Sequence, residues 1–108
     1  MQLSSIEYSI LREQVIEAIR TVYDPEIPVN VYDLGLIYDV DIDEDMEVAI
    51  NMTLTSPACP AAQSLPPEVE QKAASVEGIT DAKVTIVWEP PWTMDSMSEE
   101  AKLELGIL

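Results

Sequence analysis

Cys59 is the residue of this sequence with the clearest chemical potential. It is the chain's one cysteine, and it stands before Pro60 where a strand is expected to lead into a helix. A thiol at a helix N-terminus faces free backbone N–H groups and the positive end of the helix dipole, which favour the thiolate. Such a thiolate is a nucleophile or a soft-metal ligand, whereas many free cysteines are small buried core residues. Prolines on both sides fix the local backbone and favour the functional interpretation.

Three carboxylates, Asp24, Glu26 and Asp33, lie in a stretch over residues 24–35 that contains two prolines and a glycine and is typical of an ordered loop. In a functional interpretation they offer metal ligands or a proton acceptor beside the cysteine. In a structural interpretation Asp24 and Asp33 cap turns and helix ends, and Glu26 is solvated. The sequence alone leaves both interpretations open.

Thr53, Thr55 and Ser56 lead directly into Cys59. Their hydroxyl groups are candidates to donate hydrogen bonds to a bound group, although threonine is also simply a good strand residue. The two tryptophans flank a Glu-Pro-Pro segment. Trp88 is expected to close the core, while Trp92 suits either the core or a partner-binding patch.

The acidic run over residues 39–47 is a weak candidate for a calcium site. It lacks the sixth-position glycine and the distal glutamate of an EF-hand. We interpret the run as a solvated strand face and turn, whose like charges also protect an edge strand from aggregation.

The periodicity of apolar residues predicts the elements that position these groups. The expected elements are a helix over 5–22 opened by a Ser4–Glu7 capping box, strands over 36–43 and 47–55, a helix ending near Gly78, a strand over 82–88, and a short helix from a Ser96–Glu99 capping box to Gly106. The second helix either begins near residue 60 and kinks at its two prolines, or begins at Ser64 with both prolines in its first turn.

This order, α-β-β-α-β-α, predicts one α+β (mixed α/β) domain over residues 1–108. An antiparallel hairpin and a right-handed parallel crossover give a small three- to four-stranded mixed sheet, with helices mainly on one face.

Composition limits the function classes. The 108 residues include 5 basic and 21 acidic ones, and 5 − 21 = −16 at pH 7. This charge argues against nucleic acid and against an anionic membrane surface. Without histidine there is no Ser–His or Cys–His pair, and without a glycine-rich phosphate loop an ATPase is excluded. No apolar run approaches the roughly 20 residues that span a bilayer. The N-terminus does not resemble a secretory leader, so a cytoplasmic protein is expected.

Three blocks of the chain resemble the SufT-like iron–sulfur cluster assembly family, which shares its domain with PaaD-type proteins and a eukaryotic cytosolic iron–sulfur assembly factor. The blocks are DPEIPVNVYDLGLIYDVDI, MTLTSPACP and VWEPPWTMDSMSEEAKLELG, and the resemblance runs from about Tyr23 to Leu105. The resemblance implies a small α/β domain that helps to mature iron–sulfur proteins as a carrier, adaptor or targeting factor. It also implies that Cys59 is the reactive or cluster-linked residue and Glu26 a site glutamate, with further motif positions at Asp24, Asp33, Thr53 and Thr55.

A cluster usually takes four ligands, and this chain offers one thiolate. We therefore expect a transient iron–sulfur cluster at most, with the assembly machinery, client apoproteins or a second copy of the chain as partners. A small cysteine-dependent enzyme assisted by Glu26 and a purely structural acidic adaptor are the alternatives. The resemblance and the missing histidine base favour a protein that is not an enzyme.

Overall fold

The structure is a computed structural model that describes residues 4–25, 27–55 and 64–106. Glu26, Ser56 and Cys59 lie outside the described residues. In chain order the elements are α1 (Ser5–Ile19), β1 (Ile37–Ile42), β2 (Glu47–Met52), α2 (Leu65–Ala74), β3 (Asp81–Ile86), a 3-10 turn (Met94–Ser96) and α3 (Glu99–Glu104). The α+β class and the order α-β-β-α-β-α are confirmed.

The strands form one mixed sheet in the order β1-β2-β3. β1 and β2 pair antiparallel, with Val40 opposite Ile50, and β2 and β3 pair parallel, with Ile50 opposite Val84. The predicted hairpin and the predicted parallel crossover are therefore both confirmed. Because β2 and β3 run in the same direction, their carboxyl ends meet at one end of the sheet.

The core lies between the helices and one face of the sheet. Side chains on this face alternate with exposed ones along β1 and β2, as the pleat of a half-buried strand requires. The largest fully buried side chains are Val15, Ile16, Ile19, Val22, Val29, Val31, Leu34, Leu36, Val48, Ile50, Met52 and Leu65. Thus the loop after α1 contributes to the core as much as the helices do.

α1 begins as predicted but ends earlier. Ser4 and Glu7 form the expected capping box, with the Glu7 amide donating to Ser4 Oγ at 3.1 Å. The prediction that the helix reaches residue 22 is wrong, because α1 ends at Ile19. The Thr21 hydroxyl donates to the Ala18 carbonyl at 2.6 Å, a side-chain bond that competes with the next helical turn.

α2 follows the second of the two predicted arrangements. Ser64 is its N-cap and both prolines lie in the first turn, where a missing N–H leaves no helical bond unmade. Residues 60–63 are outside the described part of the chain. The C-cap is Ser75, so the prediction that Gly78 caps this helix is wrong; Gly78 lies in the following turn with φ +95°.

Two predictions near the C-terminus are wrong. α3 is capped by Ser98, whose Oγ accepts from the Ala101 amide at 3.1 Å, whereas Ser96 closes a box with Thr93. β3 ends at Ile86, and Trp88 is 44% exposed and does not close the core. Because β3 ends two residues before Trp88, the alternation of buried and exposed side chains along the strand does not extend to this tryptophan. Within the described residues, no helix has the length and apolarity needed to cross a membrane.

Candidate functional site

The DLG portion of the first motif block forms a tight turn over residues 30–36, here called the Gly35 turn. The Asp33 amide donates to Asn30 Oδ1 at 2.9 Å, and Asn30 Nδ2 donates to Asp33 Oδ2 at 2.8 Å. The Leu34 amide also donates to the Asn30 carbonyl at 2.9 Å. Asp33 therefore holds the turn, as the structural interpretation of this carboxylate expects.

Gly35 lets a distant segment approach this turn. Its φ is +87°, and a Cβ placed there would lie 2.2 Å from the carbonyl oxygen of Ser96. The segment over residues 92–98, here called the C-terminal arm, adds two hydrogen bonds. Trp92 Nε1 donates to the Leu34 carbonyl and the Ser98 amide donates to the Asp33 carbonyl, each at 2.8 Å. The first and third motif blocks are thus in direct contact.

Asp24 lies in the loop between α1 and the Gly35 turn and is only 7% exposed. Its Oδ1 accepts from the Ile27 amide at 3.1 Å, and its own amide donates to the Val29 carbonyl at 3.3 Å. Asp24 thus stabilises the loop that contains Glu26.

Arg20 is a site neighbour that sequence reasoning missed. Its Nε lies 3.8 Å from Asp33 Oδ1, its Nη1 lies 2.6 Å from Glu17 Oε1, and its guanidinium carbon lies 4.8 Å from the Tyr32 ring centroid. Burial lowers the pKa of Arg20, but the Glu17 hydrogen bond and the Asp33 charge outweigh it and leave the pKa raised. The sequence did offer a signal for Arg20: the chain has only five basic residues, and this one stands at the end of the predicted helix, next to the acidic loop.

Thr53 is the most unusual polar residue of the described chain. It follows β2, is 0% exposed, and donates its amide to the Leu36 carbonyl at 2.8 Å. Within residues 4–25, 27–55 and 64–106, its hydroxyl oxygen is buried without a hydrogen-bond partner. An unmade hydrogen bond at a buried hydroxyl destabilises a fold by about 1–3 kcal/mol. Among the described residues, the Thr53 hydroxyl is therefore available to donate a hydrogen bond to a bound group.

The structure brings some of the predicted site residues into one assembly. Thr53 bonds to the Gly35 turn through Leu36, and the Gly35 turn contains Asp33. Thr55, two residues further on, is partly exposed. Glu26, Ser56 and Cys59 lie outside the described residues, so their predicted role in holding a cluster stays a prediction.

Within the described ranges, the carboxylates close enough to share a metal ion are Asp43, Asp45 and Glu47, whose oxygens lie within 4.8 Å of one another. All three are exposed; Asp43 and Asp45 lie in the hairpin turn at the other end of the sheet, and Glu47 is the first residue of β2. Asp43 Oδ1 accepts the amides of Asp45 and Glu47, both at 2.9 Å. The turn is therefore shaped by its own hydrogen bonds and is solvated, as the sequence predicts.

Comparison with known proteins identifies the domain. The family model described as iron–sulfur cluster assembly protein matches residues 12–86. An iron–sulfur protein maturation auxiliary factor of Porphyromonas gingivalis is 53% identical over 102 residues, which are 94% of this chain and 97% of the relative. The maturation auxiliary factor YitW of Bacillus subtilis is 48% identical over 97 residues, 90% of this chain and 95% of the relative.

A solved structure agrees with the fold. The crystal structure of a domain of unknown function from Bacillus anthracis superposes with a TM-score of 0.87 at 36% identity, covering 97% of this chain and 100% of that one. The family match includes the Gly35 turn, Thr53 and the whole mixed sheet. The resemblance found in the sequence is confirmed: the chain belongs to the iron–sulfur cluster assembly protein family.

Proposed function

We propose that this protein acts in the cytoplasm in the maturation of iron–sulfur proteins, as a transient cluster carrier or targeting adaptor that works through Cys59. The observation that carries the proposal is the family match over residues 12–86, which includes the MTLTSPACP block with Cys59. Near full-length similarity to two maturation auxiliary factors supports the same function.

The surroundings of Thr53 support a functional site at this end of the sheet. Thr53 stands six positions before Cys59, and its fully buried hydroxyl has no hydrogen-bond partner among the residues that the structure describes. A valine of nearly the same shape would remove the desolvation penalty, so the fold itself gains nothing from this hydroxyl. We infer that the hydroxyl serves the state in which the site is occupied, by donating a hydrogen bond to a ligand or to the chain segment that holds it.

The number of ligands that one chain offers favours transfer of an iron–sulfur cluster over its storage. One chain supplies one thiolate, while a cluster usually takes four ligands. Asp24 and Asp33 already accept hydrogen bonds from their own loop, which leaves them less suited to coordinate iron. The missing ligands would come from a second copy, a small thiol or the client protein.

The test is anaerobic reconstitution with iron and sulfide, comparing the wild type with Cys59→Ser. The readouts are the visible absorption of a cluster, the native mass, and the loading of an apo-enzyme whose activity requires a [4Fe–4S] cluster. A carrier shows absorption and transfer that are both lost in Cys59→Ser. An adaptor shows no absorption, yet its stimulation of loading by a separate cluster donor still depends on Cys59. Loading that is unaffected by Cys59→Ser contradicts the proposal.

Thr53→Val separates the functional use of the hydroxyl from its effect on stability. We expect the free energy of unfolding to stay the same or rise by about 1 kcal/mol, while loading of the apo-enzyme falls. Thr53→Ser is the matched control, because it keeps the hydroxyl and removes a buried methyl group, and it should lose stability while keeping more of the loading activity. Full loading activity in Thr53→Val would show that the hydroxyl has no role in the site.

The proposed function is not enzymatic. A cysteine nucleophile assisted by Glu26 is the competing function, and it predicts rapid alkylation of Cys59 at neutral pH, slowed in Glu26→Gln. An alkylation rate close to that of an ordinary thiol would exclude that alternative, because nucleophilic catalysis requires an activated thiolate.

A further inference from the structure

Three of the four sides of the sheet are occupied by the chain itself. The helices cover one face. At the outer edge of β1, Arg12 Nε donates to the Val40 carbonyl at 3.0 Å. At the outer edge of β3, Glu70 Oε2 accepts from the Val84 amide at 2.8 Å. Charged side chains on the backbone groups of both edges oppose the addition of another strand.

The fourth side, here called the open face, is the surface of the sheet opposite the helices. Strand register places Asp41, Ala49 and Lys83 in one row across it, and Glu47 beside Asp81 in the next row. All of these residues are exposed, as is Asp39 further along β1. Because these side chains are exposed, this is the surface that the sheet offers to another molecule.

The open face keeps its negative charge. Asp39 accepts from Asn51 Nδ2 at 3.2 Å and Asp41 accepts from the Tyr8 hydroxyl at 2.7 Å, and both donors are neutral. The ion pairs of Arg20 with Glu17 and Asp33 lie at the end of α1 and do not involve these carboxylates. Lys83 is the basic residue of the face, against the four carboxylates Asp39, Asp41, Glu47 and Asp81. The chain as a whole carries −16, so its long-range field has the same sign.

We propose that the open face docks a lysine- or arginine-rich surface of a partner protein. Charge complementarity selects this partner, because a neutral or acidic surface would leave the carboxylates without counter-charges. The residue at the centre of the face is the small Ala49, so an apolar anchor of the kind that makes permanent interfaces is missing there. The association is therefore electrostatic, fast and weakened by salt. This inference does not depend on Cys59.

Matched charge variants test the position of the surface. Asp39→Asn, Glu47→Gln and Asp81→Asn are combined in one variant; Glu13→Gln, Glu77→Gln and Glu104→Gln, all exposed on the helices or after α2, are combined in the control. Both variants change the net charge equally.

The probe is a fluorescein-labelled peptide of alternating lysine and glycine, and its binding is followed by fluorescence anisotropy over a range of salt concentrations. We expect affinity to fall about tenfold in the first variant and less than about twofold in the control. Equal losses would mean that only the overall charge matters, which overturns the proposal.

Lys83 provides a second test in the opposite direction. Lys83→Gln removes the positive charge from the open face and should strengthen peptide binding about threefold, whereas Lys72→Gln on α2 should change it little. Amide chemical shifts locate the bound peptide and should move at Ala49 and its row. Shifts centred on Ile6 and Ile10, which are 73% and 55% exposed on α1, would place the partner on the helical side and contradict the inference. A second contradicting outcome is that millimolar calcium fully displaces the peptide and that the chemical shift changes are confined to the hairpin turn.

Discussion

The two ends of the sheet are built with similar hydrogen bonds in opposite surroundings. At the loop end, Asn30 and Asp33 cap the partly buried Gly35 turn against the C-terminal arm. At the turn end, Asp43 caps the exposed hairpin turn, and the Thr80 hydroxyl donates to the Asp45 carbonyl at 2.9 Å. At the loop end the C-terminal arm adds partly buried bonds to the Leu34 and Asp33 carbonyls, whereas the hydrogen bonds at the turn end are exposed to water.

This difference indicates that burial, more than the number of hydrogen bonds, determines how much each end of the sheet contributes to the free energy of unfolding. A hydrogen bond lost in a partly buried turn leaves a donor or acceptor without water to replace its partner. A bond lost in an exposed turn is replaced by solvent. The loop end is therefore expected to tolerate little change, and the turn end is free to vary in charge. Four substitutions test this contrast.

Gly35→Ala should have the largest effect. The new Cβ would meet the Ser96 carbonyl at 2.2 Å, and φ +87° is unfavourable for alanine. We expect a loss of about 3–5 kcal/mol in the free energy of unfolding, measured by urea titration. Gly106→Ala is the control, because Gly106 also has a positive φ, +74°, but nothing lies within 4 Å of its Cβ position. It should lose about 1 kcal/mol. Similar losses of stability in Gly35→Ala and Gly106→Ala would show that the C-terminal arm moves aside at little cost and would contradict the prediction.

Asn30→Ala should destabilise the protein by about 2 kcal/mol, because it removes both side-chain bonds to Asp33 in a partly buried turn. Chemical denaturation gives the value, and amide exchange at Leu34 shows whether the turn itself has loosened. A loss below about 0.5 kcal/mol would mean that water replaces these bonds as it does at the surface.

Asp43→Ala removes the two equivalent bonds at the turn end and should lose only about 0.5–1 kcal/mol, since Asp43 is exposed. The same urea titration makes the comparison direct. If Asp43→Ala lost as much as Asn30→Ala, the contrast between the two ends would disappear.

Tyr8→Phe should have the smallest effect, about 0.5 kcal/mol at neutral pH, because the exposed Tyr8 hydroxyl donates to Asp41. This hydrogen bond raises the pKa of Tyr8 above its usual 10.0. A raised pKa in the folded state contributes stability below pH 10.0 that is lost as pH rises through the folded value. The difference between wild type and Tyr8→Phe should therefore shrink above about pH 10. A difference that grows with alkaline pH would contradict the assigned hydrogen bond.

The sequence predicted the parts of the fold that depend on neighbours along the chain. The period-2 patterns gave both strands of the hairpin, and the spacing of Ser4 and Glu7 gave the first helix cap. The predictions that failed depend on tertiary structure. α1 stops early, and the Val22 carbonyl then accepts from the Val31 amide of the following loop; Trp88 is exposed because β3 ends at Ile86.

The candidate site divides in the same way. The sequence motifs picked out Asp33 and Thr53 but left open whether Asp33 caps a turn, and they gave no sign that the Thr53 hydroxyl lacks a partner in the described part of the chain. Those facts depend on Asn30, Leu36 and the C-terminal arm. Arg20 was missed because helical periodicity assigns it to a solvated side of α1, whereas the folded loop brings Asp33 towards it.

The contact between Gly35 and Ser96 also bears on the order in which the protein folds during synthesis. The hairpin joins residues that are close in sequence, whereas the Gly35 turn needs the arm, about sixty positions later. Contacts of long sequence separation form late, since the chain between them must first be ordered. On the ribosome, the hairpin can form before the arm has emerged, and the loop end cannot be completed until it has. The loop end of the sheet is therefore the last to be completed, so an incompletely translated chain can have strands while the Gly35 turn still lacks its contacts with the arm.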